Sequence, residues 1–166
     1  MCKRLIYQCV LSKQRTVKKA VINKTIANMS IDKKFKTKLT SPSVEAFTAL
    51  RVKVGWQVIE KSSAQTSLDN SLFHVAIYDN SQLVGMGRVV GDGVMYLYIQ
   101  DIAVDPDYQG YGIGAAIMTA IENYLSNTAI KGATVGLLAV QGKEAFYARY
   151  GYIERPNASL DRKSVV

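Results

Sequence analysis

Between Lys34 and Thr40 apolar and polar residues alternate, the pattern of a half-buried strand. Ser41-Pro42-Ser43 breaks the alternation. Ser43 is placed to cap a helix over 44–54, where Ala46, Phe47, Leu50 and Val54 recur at helical spacing. Gly55 ends that helix and Trp56 follows it. Residues 61–70 are polar and read as loop. The β-rich runs 72–78 and 83–90 flank Asp79-Asn80-Ser81-Gln82, a hairpin signal. Gly91-Asp92-Gly93 then leads tightly into an apolar strand, 94–104, and an apolar helix, 115–125. Lys131-Gly132 precedes another apolar strand, 133–140. A short helix over 143–150 is stopped by Gly151, and residues 152–155 read as a last strand closed by Pro156. The predicted order is β-α-β-β-β-α-β-α-β. Hairpins in the first half and helix crossovers in the second imply a mixed α/β sheet with helices on its faces.

Length and composition suit one globular domain. The chain has 166 residues, with 48% hydrophobic and 20% charged residues. No apolar stretch reaches the roughly 18 residues that a membrane span needs. Cys2 and Cys9 make neither a disulfide framework nor a metal cluster, and with His74 as the single histidine no metal site is expected. The default compartment is cytoplasmic.

The net charge of +8 changes the picture less than it suggests. Residues 1–40 hold eleven Lys or Arg and one acid, Asp32. Residues 41–166 hold ten Lys or Arg against twelve acids, about −2. We therefore divide the chain into a basic extension, 1–30, and a domain, 31–166. Three readings compete for the extension: a solvated arm without a special role, a segment upstream of a start at Met29, or a tether to nucleic acid or an anionic membrane. It also shares the Lys-rich, acid-poor character of organelle transit peptides. Nucleic acid and membrane are not expected as partners of the domain.

The most informative segment is Gln109-Gly110-Tyr111-Gly112-Ile113-Gly114, set where the apolar strand turns into the apolar helix. Three glycines clear the way for backbone N–H groups at a helix N-terminus, which suits an anion such as pyrophosphate. A phosphate loop of the NTPase type needs Gly-Lys-Ser/Thr, whereas this chain has Gly114-Ala115-Ala116. A dinucleotide fingerprint would use Gly110, Gly112 and Ala115, but it wants an acid on the ribose about 20 residues on, and residues 123–143 contain no Asp or Glu. A plain strand–helix packing turn is the bland alternative.

Gln109-x-x-Gly112-x-Gly114 resembles the Gln/Arg-x-x-Gly-x-Gly/Ala motif of the GCN5-related N-acetyltransferases (GNAT), where it cradles the pyrophosphate of acetyl-CoA. Two further stretches are similar to that family: Gln100-Asp101-Ile102-Ala103-Val104-Asp105-Pro106 entering the loop, and Phe146-Tyr147-x-x-x-Gly151-Tyr152 downstream. The resemblance covers about residues 35–156 and is strongest to small single-domain amine acetyltransferases. It implies a central, mostly antiparallel sheet with a splayed parallel strand pair. It also implies acetyl-CoA as co-substrate, no metal, and direct acetyl transfer to the primary amine of a small molecule. The alternatives are a protein lysine or N-terminus as acceptor, or an acyl-CoA-binding module without turnover. A homodimer through the sheet edge is plausible for such a family.

The resemblance also implies roles. Ile102, Ala103 and Val104 lie beside the pantetheine arm, in a gap where strand 98–104 parts from strand 133–140. The Val104 N–H polarises the thioester carbonyl. Residues 109–115 hold the pyrophosphate: Gly112 and Gly114 should not tolerate a side chain, while Tyr111 and Ile113 should tolerate change. Phe146 and Tyr147 are expected at the cofactor, Phe146 also as the buried aromatic at the helix start, and Tyr147 serves the departing thiolate as general acid. The alternating positions Tyr98, Gln100 and Ile102 offer no good base, and Asp101 falls out of phase with them. Water relayed by Tyr98 or Gln100 is therefore expected to take the amine proton, with Glu60 as a substitute. His74 reads as core. Arg51 and Trp56 are the candidate acceptor contacts. Arg155-Pro156-Asn157 is similar to the family's closing strand, whereas residues 161–166 depart from the further strand that members often add on the acceptor side.

Overall fold

The computed structural model describes the backbone of residues 4–10 and the whole of residues 31–153. A six-stranded sheet is formed by β1 (Arg4–Val10), β2 (Phe35–Lys38), β3 (Phe73–Asp79), β4 (Gln82–Gly91), β5 (Tyr96–Val104) and β6 (Thr134–Val140). Its strand order is β1-β6-β5-β4-β3-β2. The one parallel pair is β5–β6, and the other neighbours run antiparallel. The helices are α1 (Val44–Lys53), α2 (Lys61–Asp69), α3 (Ile113–Thr128) and α4 (Glu144–Ala148), with a 3-10 turn at Pro106–Tyr108.

Local chemistry explains most boundaries. Ser43 accepts from the Ala46 N–H and caps α1 as expected. Asn80 takes a left-handed φ of 51° in the two-residue connection between β3 and β4. The Asp92 carboxylate accepts from the N–H groups of Val94, Met95 and Tyr96, which makes the tight entry into β5. The polar stretch expected as loop is helix α2. Its Ser- and Thr-rich sequence has weak intrinsic preference for helix, but Glu60 caps the N–H groups of Ser62 and Ser63 while Ala64 and Leu68 bury. The strand expected at 152–155 is not seen at Tyr152 and Ile153, and its second half lies outside the described residues. β1, pairing with β6, falls in the stretch read as a basic extension.

Each sheet face has its own core. Ile113, Ile117, Met118, Ile121 and Leu125 of α3 pack on Val75, Ile77, Val84, Val89, Leu97, Ile99, Val135 and Leu137. Phe47, Leu50, Ala64 and Leu68 of α1 and α2 pack on Ala76, Leu83, Met86 and Ala103 from the other side. Gly85 and Gly87 let α3 come close. A Cβ at Gly85 would stand 2.5 Å from Ile113 Cγ2, and one at Gly87 would stand 2.6 Å from Ile117 Cγ2. Both are tighter than a packed interior allows.

Two irregularities shape the centre of the sheet. Pairing of β5 with β6 stops at Ile99 and Leu137, although β5 runs on to Val104 and β6 to Val140. Opposite β4, Met86 faces Ala103 and Arg88 faces Gln100, so one residue of β4, Gly87, is matched by two of β5, Asp101 and Ile102. This is a β-bulge, and Asp101 within it has a φ of 52°.

Candidate active site

The bulge reverses the side-chain phase of β5. Leu97 and Ile99 point into the core under α3; beyond the bulge Ile102 and Val104 do so, and Ala103 joins the core under α1 and α2. Asp101 therefore shares the α1/α2 face with Gln100, and Ile102 leaves it. This corrects the simple alternation expected for Tyr98, Gln100 and Ile102.

Asp101 sits between two arginines. Its Oδ1 accepts from Arg51 Nη1 at 3.0 Å and its Oδ2 from Arg88 Nε at 2.6 Å. Side-chain exposure is 11% for Asp101 and Arg88 and 19% for Arg51. The Arg51 guanidinium also lies 5.0 Å from the Trp56 ring centre and 5.4 Å from that of Phe47. The two residues expected to meet the acceptor thus touch each other, and Arg51 turns inward to Asp101.

The glycine loop lies at the N-terminus of α3. Gly112 is the cap residue, with φ 79° and ψ 3°, and Gly110 has φ 88°. The first hydrogen bond of the helix runs from the Ala116 N–H to the Gly112 carbonyl, so the N–H groups of residues 113–115 precede the internal ladder. A Cβ at Gly110 or Gly112 would meet nothing within 4 Å. The loop is therefore uncrowded where its two left-handed glycines stand, and a helix N-terminus there suits an anion such as pyrophosphate. A Cβ at Gly114 would stand 3.5 Å from Phe146 Cζ and 3.9 Å from Val104 Cγ2, so this glycine joins the loop to the end of β5 and to α4. Ile113 is 1% exposed and belongs to the core, which corrects the expectation that its side chain tolerates change. Tyr111 is 50% exposed and meets Phe35 edge-to-face.

Val104 faces the splay. The Asp105 N–H donates to the Val84 carbonyl at 2.9 Å, which makes Gly85 and Val104 the non-hydrogen-bonded pair that follows. The Val104 N–H therefore points away from β4, toward the edge that β6 has left.

Tyr147 of α4 is 8% exposed, and burial pushes its phenol up to about 12. Phe146, expected as the buried partner, is the more exposed of the two; it packs edge-to-face on Tyr147, with ring centres 5.0 Å apart.

The candidate proton acceptors differ in availability. Glu60 accepts from the Ser62 hydroxyl and from the N–H groups of Ser62 and Ser63, which hold its carboxyl down to about 2. A carboxylate so stabilised is a weak base. His74 is buried, which lowers its pKa; its Nε2 lies 3.0 Å from the Leu68 carbonyl, and it sits in the core as expected.

An open groove of about 690 Å³ runs along α2. It is lined by Ser62, Ser63, Thr66, Ser67 and Asn70 on the helix and by Arg88, Val90 and Gln100 on the sheet. Sequence reasoning missed this wall because α2 was read as loop. Gln100 both lines the groove and is the first β5 residue beyond the pairing with β6, so the groove meets the splay there.

Comparison with known proteins agrees with this geometry. The family model described as "Acetyltransferase (GNAT) domain" matches residues 41–164. An uncharacterized ycf52-like N-acetyltransferase of Prochlorococcus marinus is 32% identical over 110 residues, 64% of this chain and 60% of that protein. The histone acetyltransferase TAP1 of Glycine max is 29% identical over 65% of this chain and 51% of its own length. Serotonin N-acetyltransferase 2, chloroplastic, of Oryza sativa is 27% identical over 72% of this chain and 60% of its own length. The chain thus spans about half to three fifths of these curated relatives. A crystal structure of a probable acetyltransferase from Staphylococcus aureus has 33% identity and a TM-score of 0.74, covering 80% of this chain and 99% of that one. No described helix is long and apolar enough to cross a membrane. With its glycine loop, splayed strand pair and matched residues 41–164, this chain belongs to the GNAT acetyltransferase family.

Proposed function

We propose that the chain moves an acetyl group from acetyl-CoA to the primary amine of a small molecule, directly and within a ternary complex. The observation that carries this reading is the placing of three features: the N–H groups that precede the internal ladder of α3, the Val104 N–H turned to the splay, and α4, whose Phe146 ring reaches Gly114 and packs on Tyr147. The family uses acetyl-CoA, and the residues present fit it: the loop offers main-chain donors beside two uncrowded glycines, and β5 runs on past its pairing with β6, which leaves a strand edge for an extended arm. Acetyl-CoA supplies the activated acetyl carbon.

In this reading the amine nitrogen bonds to the acetyl carbon, the carbon–sulfur bond breaks, and the amine proton passes to water. The Val104 N–H donates to the carbonyl oxygen as negative charge builds there. Gln100, beside Tyr98 on β5, holds the water that takes the amine proton. Asp101 does not take it, since both its oxygens accept from guanidinium groups. Tyr147 acts as a hydrogen-bond donor to the thiolate rather than as an outright acid. A phenol near 12 does not transfer its proton to a thiolate whose conjugate acid lies at about 8.5. Water then protonates the sulfur.

The test is thiol release from acetyl-CoA with a panel of amines and peptides. Turnover with small amines supports the reading. Turnover with peptides alone would assign a protein amine instead, the reading suggested by the histone-acetylating relative. Cofactor binding without any turnover would make the chain an acyl-CoA-binding module.

A further inference from the structure

We propose that the acceptor is an amine that carries a carboxylate, such as an amino acid, and that Arg88 binds that carboxylate. The inference deepens the acetyltransferase reading and rests on it. Arg88 is the charged residue that lines the groove, and it shares its one carboxylate, Asp101, with Arg51. No acidic side chain lines the groove. Acids near α2 are committed elsewhere: Glu60 to the helix cap, Asp69 to Gln65 Nε2 at 2.7 Å, and Glu45 to Lys61 at 3.4 Å. His74, with its lowered pKa, adds no charge at neutral pH.

Arg88 is held for this task. Its Nε is fixed by Asp101, and its Nη1 donates to the Ser67 carbonyl at 2.8 Å and to Ser71 Oγ at 2.9 Å. Its Nη2 has no partner among the described residues, while the side chain lines the groove. A guanidinium immobilised on two nitrogens and open on the third is preorganised for an anion. Ser63, Thr66 and Ser67 make the rest of this wall polar and uncharged, with the Ser63 and Thr66 hydroxyls donating to Glu60 and to the Ser62 carbonyl. A polyamine or a lysine-rich tail would place further cations against Arg88, and the carboxylates bonded to lining residues are Asp101, taken by two arginines, and Glu60, at the α2 cap. Gln100 connects the anion site to the splay, so an acceptor anchored on Arg88 can direct its amine to the acetyl group.

The experiment compares matched acceptors on the full chain: amino acids, their primary amides, and spermidine, each by thiol release from acetyl-CoA. We expect kcat/KM to be about tenfold or more higher for the acid than for its amide, with spermidine lowest. In Arg88→Gln the ratio of acid to amide should fall toward one, while calorimetric affinity for acetyl-CoA stays as in the parent. Should Arg88→Gln not fold, the parent's ratio and its weakening by added salt decide alone. Equal rates for acid and amide, or a preference for spermidine, would overturn the proposal with the acetyltransferase reading intact. Loss of acetyl-CoA binding in the parent would remove that reading, and with it the proposal.

Discussion

Arg88 Nε stands 2.6 Å from Asp101 Oδ2, although the strand register pairs Arg88 with Gln100. The bulge brings the carboxylate round, and a left-handed φ of 52° at Asp101 is the local cost. Removing the carboxylate would leave two largely buried guanidinium groups without their anion. Asp101→Ala should therefore lose about 3 kcal/mol of stability in urea unfolding. Asp101→Asn should lose less, since Asn tolerates this φ and can still accept one hydrogen bond.

Gly112 and Gly114 should separate stability from binding. Gly112→Ala meets no atoms but forces a side chain onto a φ of 79°, at about 1–2 kcal/mol. Gly114 has no such φ and its added Cβ would make ordinary contact with Phe146, so Gly114→Ala should be neutral or stabilising by up to about 1 kcal/mol. Both should weaken acetyl-CoA binding, because each adds a methyl to the loop proposed to hold the pyrophosphate. Thermal unfolding and calorimetry on the two variants check this.

Tyr147 carries both a kinetic and an alkaline prediction. Tyr147→Phe should lower kcat about 10- to 100-fold through loss of the hydrogen bond to the thiolate. Burial raises the folded phenol to about 12 from an ordinary value of 10.0, so the folded state holds its proton more tightly than the unfolded chain does. That contribution is complete below pH 10 and is lost as pH rises toward 12, about 2–3 kcal/mol in all. Unfolding measured across this window should show a smaller loss in Tyr147→Phe than in the parent, since the raised phenols of Tyr78, Tyr108 and Tyr150 remain.

Asp105 gives the acid counterpart. Its carboxylate is 1% exposed. Burial alone would raise its pKa, but Lys53 Nζ at 2.6 Å, the Asp107 N–H and Gln82 together hold it low. Stability from this group is present above the unfolded value of about 3.9 and is lost as pH falls through the lower folded one. Asp105→Asn should cost about 1–2 kcal/mol at neutral pH and flatten this acid slope.

The hairpin, the glycine loop and the helix after it were legible because Asn80, Gly110 and Gly112 occupy backbone conformations that their residue types announce. The same holds for the Ser43 cap. The bulge at Asp101 was not legible: side-chain alternation is read by counting, and nothing in Gln100-Asp101-Ile102 marks an inserted residue. That one displacement misplaced both Asp101 and Ile102. α2 was hidden because its stability comes from the Glu60 cap and from burying Ala64 and Leu68, which composition alone does not show. The groove went unseen with it. Ile113 looked free because it stands between glycines, whereas its position at the start of α3 points it at Gly85.

The most direct test of the central claim is calorimetric titration of the full chain with acetyl-CoA, beside Gly112→Val of confirmed fold. The account predicts saturable one-to-one binding by the parent and a loss of at least about tenfold in the variant. No binding by the folded parent, or equal affinity in Gly112→Val, would contradict it.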